Sequence, residues 1–268
     1  MPEGDTVYLA AARLRTALVG KTLTRSDFRV PRYATLDLRG SRVDSVGSYG
    51  KHLFVRTERV SIHTHLKMEG TWRIYRPGQR WTKPGFTARL ILATDDAEAV
   101  GFSLGLVEVL PLADEHTAVD HLGPDLLGPN WDAAEAVRRL RADSKRPIGL
   151  ALLDQTVMAG VGNIFRSEIC FAERVHPATP VGDVPDLPGL VDAAHRILEH
   201  AAHHPPRPAM VYGRQRQPCR RCGSMLLVRM FGPDAASATA TERGIYFCPR
   251  CQPAPETPEP RAARRTGH

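Results

Sequence analysis

Four of the five cysteines stand in two Cys-x-x-Cys pairs near the end of the chain. They are Cys219, Cys222, Cys248 and Cys251. Each pair can form a tight turn that brings two thiolates to one ion, and two such turns complete a tetrahedral zinc site. A redox-active dithiol is the alternative, but it needs a thioredoxin-like context that is missing here. Because protein atoms supply all four ligands, we predict one structural zinc ion with no open position for catalysis.

The second feature with chemical potential is the start of the chain, MPEGDTV. Pro2 is small enough to allow removal of the initiator Met1, which would leave a free secondary amine. The ordinary pKa of an α-amine is about 7.7–8.0, so part of it is unprotonated near neutral pH. Such an amine can act as a nucleophile, and the carboxylic acid beside it, Glu3, can transfer protons. A proline in second position is also common without any function.

The elements that would position these residues begin with a helix predicted over residues 7–18, with Asp5 or Thr6 as its N-cap and Gly20 as its stop. In residues 22–111 the pattern of residue types changes. Short runs of β-branched and aromatic residues at period two are broken by Gly, Pro and Asp. This pattern predicts roughly six or more strands, which would build a sandwich or a barrel.

Helical periodicity follows a Gly/Pro stretch at 121–130 and includes a helix predicted over 147–160. The sequence AGVGN at 159–163 joins this helix to the next one. The backbone N–H groups behind Asn163 could meet a phosphate. Any helical hairpin needs such a turn, however, so a purely structural turn remains open.

These patterns predict an α+β multidomain chain. An N-terminal β-sandwich with a leading helix spans 1–115, a helical domain with the helix-turn-helix pattern spans 116–208, and a zinc finger spans 209–252. The Pro-rich, polar segment 253–268 is predicted to be a disordered tail.

Charge points to a polyanionic partner. The net charge is +7 and the isoelectric point is near 9.4. Five arginines lie in or beside the cysteine region, where they suit phosphate contacts or form a solvated basic face: Arg220, Arg221, Arg229, Arg243 and Arg250. No signal peptide or membrane-spanning run is visible. We therefore expect a cytoplasmic, nucleoid-associated monomer with reduced thiols and no membrane contact.

Taken together, four motifs in this order resemble the formamidopyrimidine-DNA glycosylase/endonuclease VIII family across residues 1–252. The motifs are Pro2-Glu3, Gly50-Lys51, the AGVGN turn at 159–163, and the four-cysteine finger with Arg243 before Cys248. The resemblance implies that 1–115 is a catalytic β-sandwich domain, that 116–208 is a helix-two-turns-helix DNA-binding domain, and that 209–252 is a zinc finger. It also implies a bifunctional DNA glycosylase and abasic-site lyase acting on damaged double- or single-stranded DNA.

The resemblance assigns roles to individual residues. Pro2 would attack C1′ of the damaged nucleotide and form a Schiff base, and the strand would then break by β,δ-elimination. Glu3 would transfer protons, and Lys51 would transfer protons and hold a phosphate. Asn163 would contact phosphate, while Arg243 would grip phosphate and assist the second elimination.

A base must leave the stack before its sugar can be attacked, so a side chain should fill the gap. The sequence THLKMEG resembles the family's intercalation loop. Met68 is the expected wedge, with Lys67 and Glu69 beside it, although a plain hydrophobic hairpin residue remains open. His121 stands where the endonuclease VIII branch has a DNA-contacting arginine, and it is a candidate for the same role.

Two departures from the family pattern bear on the substrate. Many members carry a glutamate where Thr6 stands, so a lesion-orienting role for that residue does not carry over. The stretch GFSLGLVEVL lacks the arginines that read the base opposite 8-oxoguanine in the purine-lesion branch. This absence favours the endonuclease VIII branch, which prefers oxidised pyrimidines.

Two further residue patterns have simpler interpretations. His63 and His65 lie on one strand face and could form a metal pair, but no third ligand is evident, so packing or DNA contact is favoured. Cys170 is expected to be a buried core thiol.

Two other functions remain as alternatives. A non-catalytic zinc-containing protein of the same fold that binds damaged DNA would explain the charge, but it would leave Pro2, Glu3 and Lys51 without a role. An N-terminal-proline tautomerase would explain Pro2 but would not need an arginine-rich finger.

Overall fold

A computed structural model describes residues 2–205, 208–231 and 243–255 of the chain. Its N-terminal part contains two antiparallel sheets with the strand orders β1-β6-β7-β5 and β2-β3-β4-β8. The strands are β1 Arg25–Phe28, β2 Val43–Tyr49, β3 His52–Thr57, β4 Ser61–His65, β5 Thr71–Tyr75, β6 Ala88–Ala93, β7 Glu98–Phe102 and β8 Leu106–Leu110. The predicted sandwich is confirmed.

Helix α1 (Gly4–Leu18) packs its apolar stripe into the sandwich core. Val7, Ala11, Leu14 and Leu18 recur at helical spacing and are buried. The predicted N-cap was wrong, because Asp5 and Thr6 both lie inside the helix and Glu3 occupies the cap position. The predicted stop was right, since Gly20 has a φ of +80° just after the helix ends.

The helical part contains α2 (Ala133–Arg141), α3 (Ile148–Ala151), α4 (Asn163–Ala172) and α5 (Leu187–His203). One buried cluster, which includes Phe165, Ile169, Leu190 and Leu198, holds α4 and α5 together.

The helix predicted over 147–160 was wrong in length, since α3 is a single turn. Side chains after it bind the backbone locally and divert it from helical geometry. Asp154 accepts the Thr156 N–H at 2.9 Å, and Gln155 accepts the Gly160 N–H at 3.1 Å. The segment therefore closes into a loop that carries residues 159–163.

The C-terminal part is a hairpin of β9 (Leu227–Phe231) and β10 (Arg243–Phe247) beside the four cysteines. The Glu168 side chain fixes this part to α4, because it accepts N–H groups from Met210, Val211 and Tyr212 at 2.8 to 3.0 Å.

These features confirm the predicted α+β fold class. The predicted disordered tail lies largely outside the described residues, which end at 255. Among the helices that the structure describes, none is long and apolar enough to cross a membrane.

Candidate active site and metal centre

The start of the chain is docked against the N-terminus of α4. The Glu3 side chain is 1% exposed. Its carboxylate accepts the N–H groups of Gly162, Ile164 and Phe165 at 3.0, 2.7 and 3.1 Å. Amides at a helix N-terminus favour a negative charge, so this contact anchors the residue that follows Pro2. Pro2 itself is half-buried at the junction, and Met1 lies outside the described residues.

Glycines make this close docking possible. Gly4 donates its N–H to the Gly160 carbonyl at 3.0 Å, and Gly160 has a φ of +116°. A Cβ at Gly162 would collide with the Glu3 carboxyl group. Gly50 has a φ of +54°, and a Cβ there would lie 2.8 Å from Ala159 Cβ. The AGVGN turn and the Gly50-Lys51 motif therefore pack directly against each other.

Lys51 reaches the same turn. Its Nζ donates to the Val161 carbonyl at 2.6 Å. That carbonyl and the Gly162 N–H belong to one peptide group, so Lys51 and Glu3 bind its two ends. Sequence reasoning missed Gln155, whose Nε2 donates to the same carbonyl at 2.8 Å. In the sequence, Gln155 is marked only by lying between two other polar residues inside a segment that was predicted to be an apolar helix.

Asn163 connects this turn to the finger. Its Nδ2 donates to the Gly244 carbonyl at 3.0 Å, and its Oδ1 accepts from Arg166 Nε at 2.8 Å. Arg166 is fully buried and was not singled out from the sequence. The contact places the backbone of Arg243, the first residue of β10, next to the turn. The Arg243 side chain lies outside the described part, and its role stays a prediction.

The predicted wedge lies on a separate loop between β4 and β5. Met68 is 56% exposed, and Lys67 beside it has a φ of +52°. The His65 ring fixes the loop by accepting the Lys67 N–H at Nδ1, at 2.8 Å. Glu69 and His121 are exposed as well. The structure thus brings Pro2, Glu3, Lys51 and Asn163 together, and the wedge loop follows His65, which pairs with His52 next to Lys51.

A histidine stack supports this loop. His52 Nδ1 and His63 Nε2 are 2.8 Å apart, and His63 Nδ1 lies 3.0 Å from Glu108. Burial, together with the charges of the neighbouring histidines, lowers the pKa of His52 to about 3. Burial and the Lys67 charge lower the pKa of His65 to about 4. These rings are therefore neutral near neutral pH, and the contacts of His63 are those of a packed, buried side chain.

The four cysteines form a cluster that can hold a metal ion. Their sulfur atoms all lie within 4.8 Å of one another, with Cys219–Cys251 at 4.0 Å and Cys222–Cys248 at 3.5 Å. A tetrahedral zinc ion with Zn–S bonds of about 2.3 Å needs sulfur atoms about 3.8 Å apart. The donor set therefore fits zinc. Among the residues described, no other group of histidine, cysteine or acidic side chains has such geometry.

The fifth cysteine behaves differently. Cys170 is fully buried, and burial raises the pKa of its thiol to about 12. Among the four clustered cysteines, hydrogen bonds from Ser224 lower the pKa of Cys222 to about 6. Cys170 is the core thiol that was predicted.

Fold and site together define a class of protein, the helix-two-turns-helix DNA glycosylases. The chain matches the formamidopyrimidine-DNA glycosylase N-terminal domain over residues 1–103 and the H2TH domain of the same enzymes over residues 122–204. It belongs to the formamidopyrimidine-DNA glycosylase/endonuclease VIII family, in its endonuclease VIII-like branch.

Individual relatives match over nearly their whole length. A probable endonuclease 8 2 of Streptomyces coelicolor is 47% identical, covering 100% of this chain and 98% of the relative. The DNA-(apurinic or apyrimidinic site) lyase Nei2 of Mycolicibacterium smegmatis is 47% identical, covering 95% and 100%. A crystal structure of Lactococcus lactis formamidopyrimidine-DNA glycosylase bound to abasic-site DNA shares the fold, with a TM-score of 0.80, 22% identity and coverage of 94% and 100%.

The contact between Gly162 and Glu3 yields a test. We expect Gly162→Ala to displace the Glu3 carboxylate and to lower the single-turnover rate of strand cleavage at an abasic site at least about tenfold, which corresponds to about 1.4 kcal/mol. Gly47→Ala is the matched control, because its Cβ would meet only the flexible end of Arg56, at 3.2 Å. Equal rates for the two variants would contradict the importance of this contact.

Proposed function

We propose that this DNA glycosylase is a bifunctional base excision repair enzyme that removes oxidised bases, chiefly pyrimidines, and cuts the strand through a Pro2 Schiff base. One observation carries the proposal: Glu3 and Lys51 bind the two ends of a single peptide group in the turn before α4. This contact holds the start of the chain, and with it Pro2, beside a lysine and a helix N-terminus. The names of the relatives, endonuclease 8 and abasic-site lyase, support the same activity.

The secondary amine of Pro2 suits this chemistry. Attack on C1′ breaks the bond to the base, and loss of the ring oxygen from C1′ gives an iminium ion with no N–H to lose. The cation acidifies the C2′ proton, so the 3′-phosphate leaves by β-elimination, and a second elimination releases the 5′-phosphate. Covalent catalysis of this kind divides a difficult cleavage into easier steps.

The neighbouring residues divide the remaining tasks. Glu3 adjoins the nucleophile and serves the proton transfers at the sugar and the departing base. Lys51, whose Nζ lies 2.6 Å from the Val161 carbonyl, is positioned to transfer protons and to hold the phosphate next to the lesion. Arg243 assists the second elimination, and Asn163 contacts a phosphate while it tethers β10.

Damaged DNA, double- or single-stranded, is the proposed partner of a monomer that works in the cytoplasm at the nucleoid. Met68 would fill the gap left by the extruded nucleotide, with Lys67, Glu69 and His121 contacting the strands around it. The net charge of +7 supports binding to a polyanion. The proposed pyrimidine preference rests on the stretch GFSLGLVEVL at 101–110, which carries no arginine.

One zinc ion would complete the finger. Cys219, Cys222, Cys248 and Cys251 would hold it, and its contribution would be structural because no coordination position remains open. The bound ion would fix the end of the β9–β10 pair where Cys248 follows Phe247, while Arg243 begins β10 at the other end, where Asn163 holds the next residue.

The nucleophile can be tested by trapping. With borohydride and an abasic duplex, the wild-type chain should form a stable covalent adduct, and peptide mapping should place it on Pro2. Pro2→Gly, or a chain that keeps its initiator methionine, should lose most of this adduct. Lys21→Ala is the control for a surface amine, since Lys21 pairs with Asp96 far from the turn. DNA binding without any adduct would instead support the non-catalytic alternative.

Metal content can be measured directly. We expect one zinc ion per chain by elemental analysis, and Cys248→Ser should reduce that content and lower both Tm and DNA affinity, because the hairpin loses its anchor. Cys170→Ser is the comparison variant and should keep its zinc. A zinc-free wild-type protein that is fully active would refute the structural role.

Substrate choice calls for a panel of duplexes, each with one defined lesion. We expect faster incision at oxidised pyrimidines than at 8-oxoguanine, with product ends that show β,δ-elimination. Denaturing electrophoresis separates the β- from the δ-elimination ends. Preferred incision at 8-oxoguanine would overturn the proposed preference while leaving the glycosylase assignment intact.

A further inference from the structure

Phe86 is an exposed aromatic residue on a turn that several hydrogen bonds hold in place. Its exposed fraction, 88%, is the highest among the large hydrophobic side chains that the structure describes. The Thr87 N–H and hydroxyl both donate to the Pro84 carbonyl, at 3.0 and 2.7 Å, and Arg29 Nη1 donates to the Gly85 carbonyl at 3.1 Å. These bonds hold the backbone of the turn while the Phe86 side chain meets solvent, so an apolar contact with a partner would remove that ring from water.

This turn lies at the same end of the sandwich as the wedge. The Ser103 N–H donates to the Thr87 carbonyl at 2.7 Å, and the Gly105 N–H donates to the His65 carbonyl at 3.0 Å. A Cβ at Gly105 would collide with the Lys67 side chain. The short segment 103–105 therefore connects the turn of Phe86 to the loop of Met68.

Strand order gives the separation along this edge. The sheet order β1-β6-β7-β5 places β7 between the start of β5, which follows the Met68 loop, and the start of β6, which follows Phe86. Two strand spacings amount to about 10 Å. The minor and major grooves of a DNA duplex are about 6 and 12 Å wide. When Met68 enters the duplex at the damaged DNA strand, Phe86 is therefore within reach of the opposite DNA strand.

Two arginines lie close to this turn along the chain or through backbone contacts. The pairing register shifts between Ala88 and Leu90, and Arg89 is exposed at this bulge. Arg89 has no ion pair within the described ranges, whereas Arg29, bonded to it through the backbone, pairs with Asp27 at 3.1 Å. Exposed aromatic rings on positively charged surfaces are typical of proteins that stack on unpaired bases and bind phosphates.

We propose that Phe86 and Arg89 form a second DNA contact on the strand opposite the extruded nucleotide. The Phe86 ring stacks on the base that has lost its partner, and Arg89 binds a phosphate beside that base. This inference rests on the proposed function, because it requires Met68 to enter the duplex. It assigns the opposing base a direct contact that the 103–105 turn, which has no arginine, does not supply.

Binding to an uncleavable abasic analogue tests the stacking. Two duplexes carry tetrahydrofuran in one strand, and the opposite position holds either adenine or a second tetrahydrofuran. Phe86→Ala should weaken binding to the duplex with adenine about tenfold and leave binding to the duplex without a base unchanged. Phe86→Trp should restore affinity, because the indole also stacks.

The control and the contrary outcomes are distinct. Ile74→Ala removes another exposed apolar side chain, 38% exposed and farther along β5, and should change neither affinity. Equal weakening on both duplexes, no weakening at all, or a Phe86→Ala change in self-association alone would overturn the stacking proposal. If wild-type protein forms the Pro2 adduct while Phe86→Ala binds normally, only this inference fails. If no adduct forms, the proposed function fails first.

Discussion

The arrangement of the site depends on the hydrogen bonds of one peptide group, the one between Val161 and Gly162. Its carbonyl accepts from Lys51 and Gln155, and its N–H donates to Glu3. A peptide group is planar and rigid, so its two ends cannot move independently. This one peptide group therefore holds Lys51 and Glu3, both from the N-terminal part, against the helical part. Its bond to Glu3 also orients the start of the chain.

Helix α4 extends this arrangement to the finger. Two buried carboxylates, Glu3 and Glu168, each accept three backbone N–H groups. Buried carboxylates are tolerated when their oxygens are hydrogen-bonded in this way. One carboxylate ties the chain start to α4, and the other ties residues 210–212 to it. Asn163 and the buried Arg166 then join the same helix to β10, so the three parts of the molecule meet on one element.

Local patterns were sufficient to predict much of the fold and the cluster of four cysteines. The strands follow from period-two alternation, and α1 follows from apolar residues at helical spacing. The cysteine pairs are recognisable because two thiolates in one tight turn share an ion whatever the rest of the chain does. The helix predicted at 147–160 failed for a related reason, since side chains such as Asp154 and Gln155 satisfied the backbone locally and competed with the helix.

By itself, the sequence determined the α+β class, the set of four cysteines that can hold a metal ion, and the chemical identity of Pro2, Glu3 and Lys51, because these depend on residue types and short spacings. The tertiary structure alone decided which groups these residues meet. Glu3 and Gly162 are 159 positions apart, and Lys51 and Val161 are 110 apart. Contacts at such separations depend on how two packed parts of the chain meet, and no local periodicity records that.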